Sequence, residues 1–169
     1  MLRHFQMFAD YNRWANERVY EACATLSGED YRADMGAFFG SAERTLNHLL
    51  AADRIWLKRF TGEGEAPTGL DAVLFEDFAE LRAAREAEDR RIIDWLNGLQ
   101  EAELSRIISY TPISTPTKVE LRLGPILAHV FNHQTHHRGQ VHTILTSLGK
   151  PSIAIDLVYF VLADGQRWQ

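Results

Sequence analysis

His129-Val130-Phe131-Asn132-His133-Gln134-Thr135-His136-His137-Arg138-Gly139-Gln140-Val141-His142 is the stretch that decides how this chain is read, because it holds five of the seven histidines in 169 residues. Gly124-Pro125 precede it and Gly149 follows, which predicts a single helix running to about Leu148. Proline in the first turn gives up no needed hydrogen bond, and glycine supplies the stop. Residues four apart on a helix lie about 6 Å apart along the axis and nearly in line, so two imidazoles at that spacing can converge on one metal ion. The candidate pairs are His129 with His133 and His133 with His137.

A helical wheel at about 100° per residue separates these pairs. Ile126, Leu127, Val130, Val141, Ile144, Leu145 and Leu148 define an inward arc, with His137 inside it and His133 at its edge. His129 and His136 fall further round, and His142 lies on the other side of the arc. His133 and His137 are therefore the pair best aimed at a bundle interior. A stable site needs a third ligand, and outside this helix only His4 and His48 remain. His4 sits at a terminus prone to fraying. His48 is mid-helix but away from the centre of the arc formed by Leu46, Leu49, Trp56 and Phe60, so periodicity leaves it open between ligand and surface residue. Asp53 points more directly into that arc. It reads equally as a carboxylate ligand or as a buried Asp satisfied by hydrogen bonds or an Arg partner.

Outward from this stretch, helical periodicity dominates. Leu2, Phe5, Phe8, Trp14 and Val19 predict a first helix from about the start to Thr25, with Ser27-Gly28 as punctuation. A second helix is expected from roughly Phe38 to Phe60, stopping at Gly62, and a third from about Phe75 to Leu96. Between Ser105 and Leu123 the pattern alternates around a Thr, Pro and Ser cluster, which predicts a short β-hairpin or an extended excursion. After Pro151 the apolar segment Ile153 to Leu162 reads as a last short helix. The fold class expected is all-α, a single domain over residues 1–169.

The formal charge of −5 argues against a nucleic-acid surface, which needs clustered Lys and Arg. Arg82, Arg85, Arg90 and Arg91 interleave with Glu80, Glu86, Glu88 and Asp89, as on a solvated helix face. With no apolar run of about 20 residues and no charged leader ahead of one, a cytoplasmic protein without a membrane span is expected. The lone Cys23 excludes an internal disulfide and reads as a buried thiol rather than a nucleophile. Trp14, Trp56, Trp95 and Phe131 sit at helical spacing and read as core. Neither His-Glu-x-x-His, nor Glu-x-x-His pairs, nor Gly-x-Ser-x-Gly, nor a phosphate-cradling glycine motif occurs.

Three stretches together resemble the DinB family: Tyr11-Asn12-x-Trp14-Ala15-Asn16, Leu46-Asn47-His48-Leu49-Leu50-x-x-Asp53-x-x-Trp56, and above all His133 through His137-Arg138-Gly139-Gln140. Gly149-Lys150-Pro151 followed by Asp156-Leu157-x-Tyr159-Phe160 is similar to the family's ending. The resemblance covers nearly the whole chain. It implies an up-down-down-up four-helix bundle sharing its fold with mycothiol-dependent maleylpyruvate isomerases and bacterial thiol transferases, often in a homodimer. By matching position it implies His48, His133 and His137 as metal ligands, with at least one coordination position left open. Zinc or nickel is the expected divalent ion, with iron or manganese next. A low-molecular-weight thiol is an implied co-substrate, and His136 is left as a neighbouring pocket residue. The function expected is that of a metal-dependent enzyme, a thiol-dependent transferase or a hydrolase. The alternative is a non-catalytic metal-binding bundle acting as a sensor or interaction protein.

Overall fold

The computed structural model describes residues 1–113 and 115–169. Its helices run in the order α1 (Leu2–Cys23), a short α2 (Gly28–Arg32), α3 (Ala42–Thr61), α4 (Phe78–Gly98), α5 (Leu123–Ser147) and a short α6 (Leu157–Ala163). Strands β1 (Ile107–Tyr110) and β2 (Val119–Arg122) form an antiparallel hairpin ahead of α5, with Ile108 opposite Leu121. Ser114, in the cluster between the two strands, lies outside the described residues.

Each of α1 and α3 packs against both α4 and α5. At one end Leu2 and Phe5 meet Leu57, Phe60, Leu96 and Ile126; at the other Val19 and Cys23 meet Leu46, Leu81, Val141 and Ile144. The starts of α1 and α5 therefore lie beside the ends of α3 and α4, which is the up-down-down-up arrangement. Removing these side chains from water, at about 1.5–3 kcal/mol for each large aliphatic or Phe, is what drives the helices together. Cys23 belongs to this core, and burial pushes its thiol up to about 12, far from a nucleophile's range.

Helix ends follow local hydrogen bonding more closely than apolar periodicity. α3 begins at Ala42 rather than near Phe38, because the Ser41 hydroxyl accepts from the Arg44 N–H at 3.2 Å, directly after Gly40 at φ 82°. Phe38 is consequently left 80 % exposed. The Asp77 carboxylate caps α4 by accepting from the Glu80 N–H at 2.9 Å, so this helix starts at Phe78 instead of Phe75. α2, which periodicity did not anticipate, is closed by Ser27 accepting from the Asp30 N–H. The last helix starts only at Leu157, after a stretch without regular structure that ends in an extended Asp156.

The charged residues of α4 require a larger correction. Arg85, Glu88 and Asp89 are buried instead of lying on a solvated face. Arg85 pairs with Asp53 of α3 at 2.7 Å and with Asp89 at 3.1 Å. Asp89 accepts from the Asn16 amide of α1 at 3.0 Å, and Arg138 of α5 donates to Asn12 and Asn16. Gln134 closes the network, its amide donating to the Asp53 carboxylate at 2.6 Å and to the Leu49 carbonyl at 3.0 Å. Within this network two cations face two carboxylates, Glu88 pairing instead with Arg54 and Arg91, and all four long helices are tied to one polar layer.

Candidate metal centre

α3 and α5 run side by side, and their facing turns bring His48, His133 and His137 together. Each offers a ring nitrogen, and these atoms lie within 4.8 Å of one another. The pair identified on the wheel, His133 and His137, has ring centroids 4.5 Å apart. His48, which periodicity left undecided, is only 3 % exposed. Two features that a wheel cannot register cover it. Phe39, in the loop before α3, stacks on its ring at 3.9 Å, and the loop between α3 and α4 lays the Leu70 carbonyl against it.

Hydrogen bonding sets which nitrogens are available. His48 donates from Nδ1 to the Leu70 carbonyl at 2.7 Å, which leaves the lone pair on Nε2. His137 donates from Nδ1 to the Gln140 side-chain oxygen at 2.7 Å, with the same result. His48 Nε2 and His133 Nε2 face each other at 3.2 Å. No second partner fixes His133 among the described residues, so it can hold its proton on Nε2 and donate to His48, or release Nε2 by moving the proton to Nδ1. The donor set fits a divalent ion: two nitrogens bound tetrahedrally at about 2.0–2.1 Å would stand about 3.3 Å apart.

Electrostatics favour the same state. Burial pulls His48 down to about 4, partly opposed by the Leu70 carbonyl. It pulls His133 down to about 3, helped by His137 and His48. His137 is also lowered by burial, with its bond to Gln140 acting the other way. All three imidazoles are thus held neutral near pH 7, the form that binds metal.

Asp53 is not part of this group. Of its two readings the buried, hydrogen-bonded one holds: burial raises its carboxyl to about 6, with Arg85 opposing, so it is ionised at neutral pH, paired with Arg85 and hydrogen-bonded by the Gln134 amide. His136 is exposed and accepts from the Gln140 amide at 3.2 Å, one residue removed from the three histidines. His129 stands one turn from His133, with ring centroids 5.8 Å apart. Beside His48 and His133 opens a cleft of about 260 Å³ between α3, α5 and the hairpin. Sequence reasoning gave no role to Leu70, Phe39 or Gln140. Only Gln140 left a signal, its spacing of three from His137.

These features define a class, a helical bundle with an inward-facing histidine triad on antiparallel helices. The sequence pattern of the DinB family matches residues 1–167, and the chain belongs to that family. A curated relative, Protein DinB of Bacillus subtilis (strain 168), is 27 % identical over 156 residues, which cover 87 % of each chain. The crystal structure of a DinB-like protein from Bacillus cereus ATCC 10987 superposes with a TM-score of 0.67 over 87 % of this chain and 94 % of its own. At 16 % identity that likeness concerns the fold.

Proposed function

We propose that this chain is a metal-dependent enzyme, a thiol-dependent transferase or a hydrolase, holding one divalent ion through His48, His133 and His137. The observation that carries the reading is the convergence of three ring nitrogens within 4.8 Å from two helices, two of them with their other nitrogen already committed as a donor. Three protein nitrogens leave at least one position free, as catalytic sites do. An ion so held lowers the pKa of a bound water or ionises a bound thiol. Zinc and nickel suit neutral imidazole best, with iron and manganese behind.

The chain's own residues do the remaining work in this reading. The Leu70 carbonyl and Gln140 hold the rings of His48 and His137 in one tautomer and orientation. Phe39 screens one side of the site from water, and the cleft admits a reactant from the other. His129, at the cleft wall, is placed to take or give a proton. A purely structural role for the ion has less support, because Gln134 already joins α5 to α3 through Leu49 and Asp53.

Cobalt substitution tests the open position. Addition of mercaptoethanol to the cobalt-loaded protein is expected to produce an intense thiolate-to-cobalt absorption band, absent in His137→Ala. A visible spectrum unmoved by saturating thiol and azide would mean that the coordination sphere is closed, and the enzymatic reading would fall.

A further inference from the structure

The cleft beside the histidines has a chemical character of its own. It runs along α3 from His48 past Ala52, Ile55 and Trp56 to Arg59, and Tyr110 and Ile113 wall its far side. The helical rise from His48 to Arg59 is about 16 Å. At about 260 Å³ the cavity sits just below the ~300–1,000 Å³ usual for drug-sized ligands, so its occupant is small.

Among the described residues Arg59 is the only lining side chain with a permanent charge, and no carboxylate lines the cavity. Its guanidinium lies 4.6 Å from the Trp56 ring centroid and 4.4 Å from that of Tyr110. One long hydrogen bond, 3.4 Å to the Thr111 carbonyl, engages one of its nitrogens. No carboxylate stands within ion-pairing distance of it among the described residues, in contrast to Arg85, which has two. Burial works against the charge of Arg59. A half-buried cation fixed by two aromatic rings, with donors to spare at the end of an apolar slot, is a receptor for an anion.

We infer that the cleft binds a small carboxylate with an apolar, aromatic-sized body, whose charged end pairs with Arg59 while its other end lies toward His48 and His133. A single planar guanidinium matches the two oxygens of a monoanionic carboxylate, whereas a phosphate dianion would call for further cations. This names a substrate class for the site proposed above and rests on that reading for what happens to the bound molecule. Binding itself can be tested without the ion.

Calorimetric titration with phenylbutyrate, phenylbutanol and phenylbutylamine, on metal-free and on zinc-loaded protein, separates the two claims. Phenylbutyrate is expected to bind about tenfold or more tightly than the alcohol in both forms, as befits a hydrogen bond to a charged group, with the amine weakest. Arg59→Gln should bring acid and alcohol within about twofold of each other in the metal-free protein, and Arg59→Lys should keep most of the preference. A preference for the acid that survives Arg59→Gln, or equal binding of all three probes, overturns the inference. A preference seen only with zinc and indifferent to Arg59 would assign the carboxylate to the ion and overturn it as well. Absence of zinc binding alongside an Arg59-dependent preference would sink the metal reading and leave the anion cleft standing.

Discussion

Two neighbouring pairs on α5, about 100° apart around the helix, meet different partners. Gln134 and Arg138 turn inward to the polar layer, where their donors are taken up by Asp53, Leu49, Asn12 and Asn16. His133 and His137, one residue before each, turn to His48 of α3 and meet another imidazole, with neither acid nor cation among them. The first group finds charged and amide partners within the chain, with only Gln134 Oε1 and Arg138 Nε left over, and specifies how four helices register. The second brings three ring nitrogens together, and in the proposed reading a metal ion completes them. Polar residues of the same helix can thus be told apart by whether charged and amide partners within the fold finish most of their bonding, and the set left with imidazoles alone is where the proposed function is sought.

The largest expected effect comes from breaking the finished set. Arg85→Met would take from Asp53 and Asp89 the one cation that pairs directly with both, and a loss of about 3–5 kcal/mol is expected by chemical denaturation. His133→Ala should do the reverse, lowering zinc affinity by about two orders of magnitude or more while costing the metal-free protein much less stability than Arg85→Met. If the two variants were equally destabilising without metal, the division between structural and functional layers would be lost. Gln140→Ala removes only the acceptor that orients His137, and about a 10- to 100-fold loss in metal affinity is expected.

Acid should distinguish the layers more gently. His48 and His133 are held at about 4 and about 3 in the folded chain against 6.5 for a free imidazole. The unfolded chain therefore takes up protons first as pH falls. Stability from these neutral rings is complete well above 6.5 and declines as the pH falls through 6.5 toward 4 for His48 and toward 3 for His133. The melting temperature of metal-free protein should decline over that window, and His133→Gln should flatten the slope. A slope unchanged by that substitution would place the acid-sensitive groups elsewhere.

Much of the architecture was legible because it rests on local patterns. The apolar periodicity of α1, α3 and α5 specifies burial directly, the alternation around Val119 to Leu123 marks the hairpin although Leu121 stays exposed, and the His133–His137 spacing survives into the folded site. What was illegible depended on partners distant in sequence. His48 looked peripheral because Phe39 and the Leu70 carbonyl, which bury it, come from loops with no period. Arg85 and Asp89, four apart on α4, look like a surface ion pair until Asp53 and Asn16 arrive from α3 and α1. Resemblance to the family, rather than periodicity, singled out His48.

The central claim is that His48, His133 and His137 form one divalent-metal site. Untagged protein, stripped and then titrated with zinc while metal is quantified by mass spectrometry, tests it most directly. One ion per chain in the wild type, and none retained by a folded His133→Ala, is the predicted result. A wild-type chain that holds no ion, or a variant that holds it as tightly as the wild type, would contradict the account.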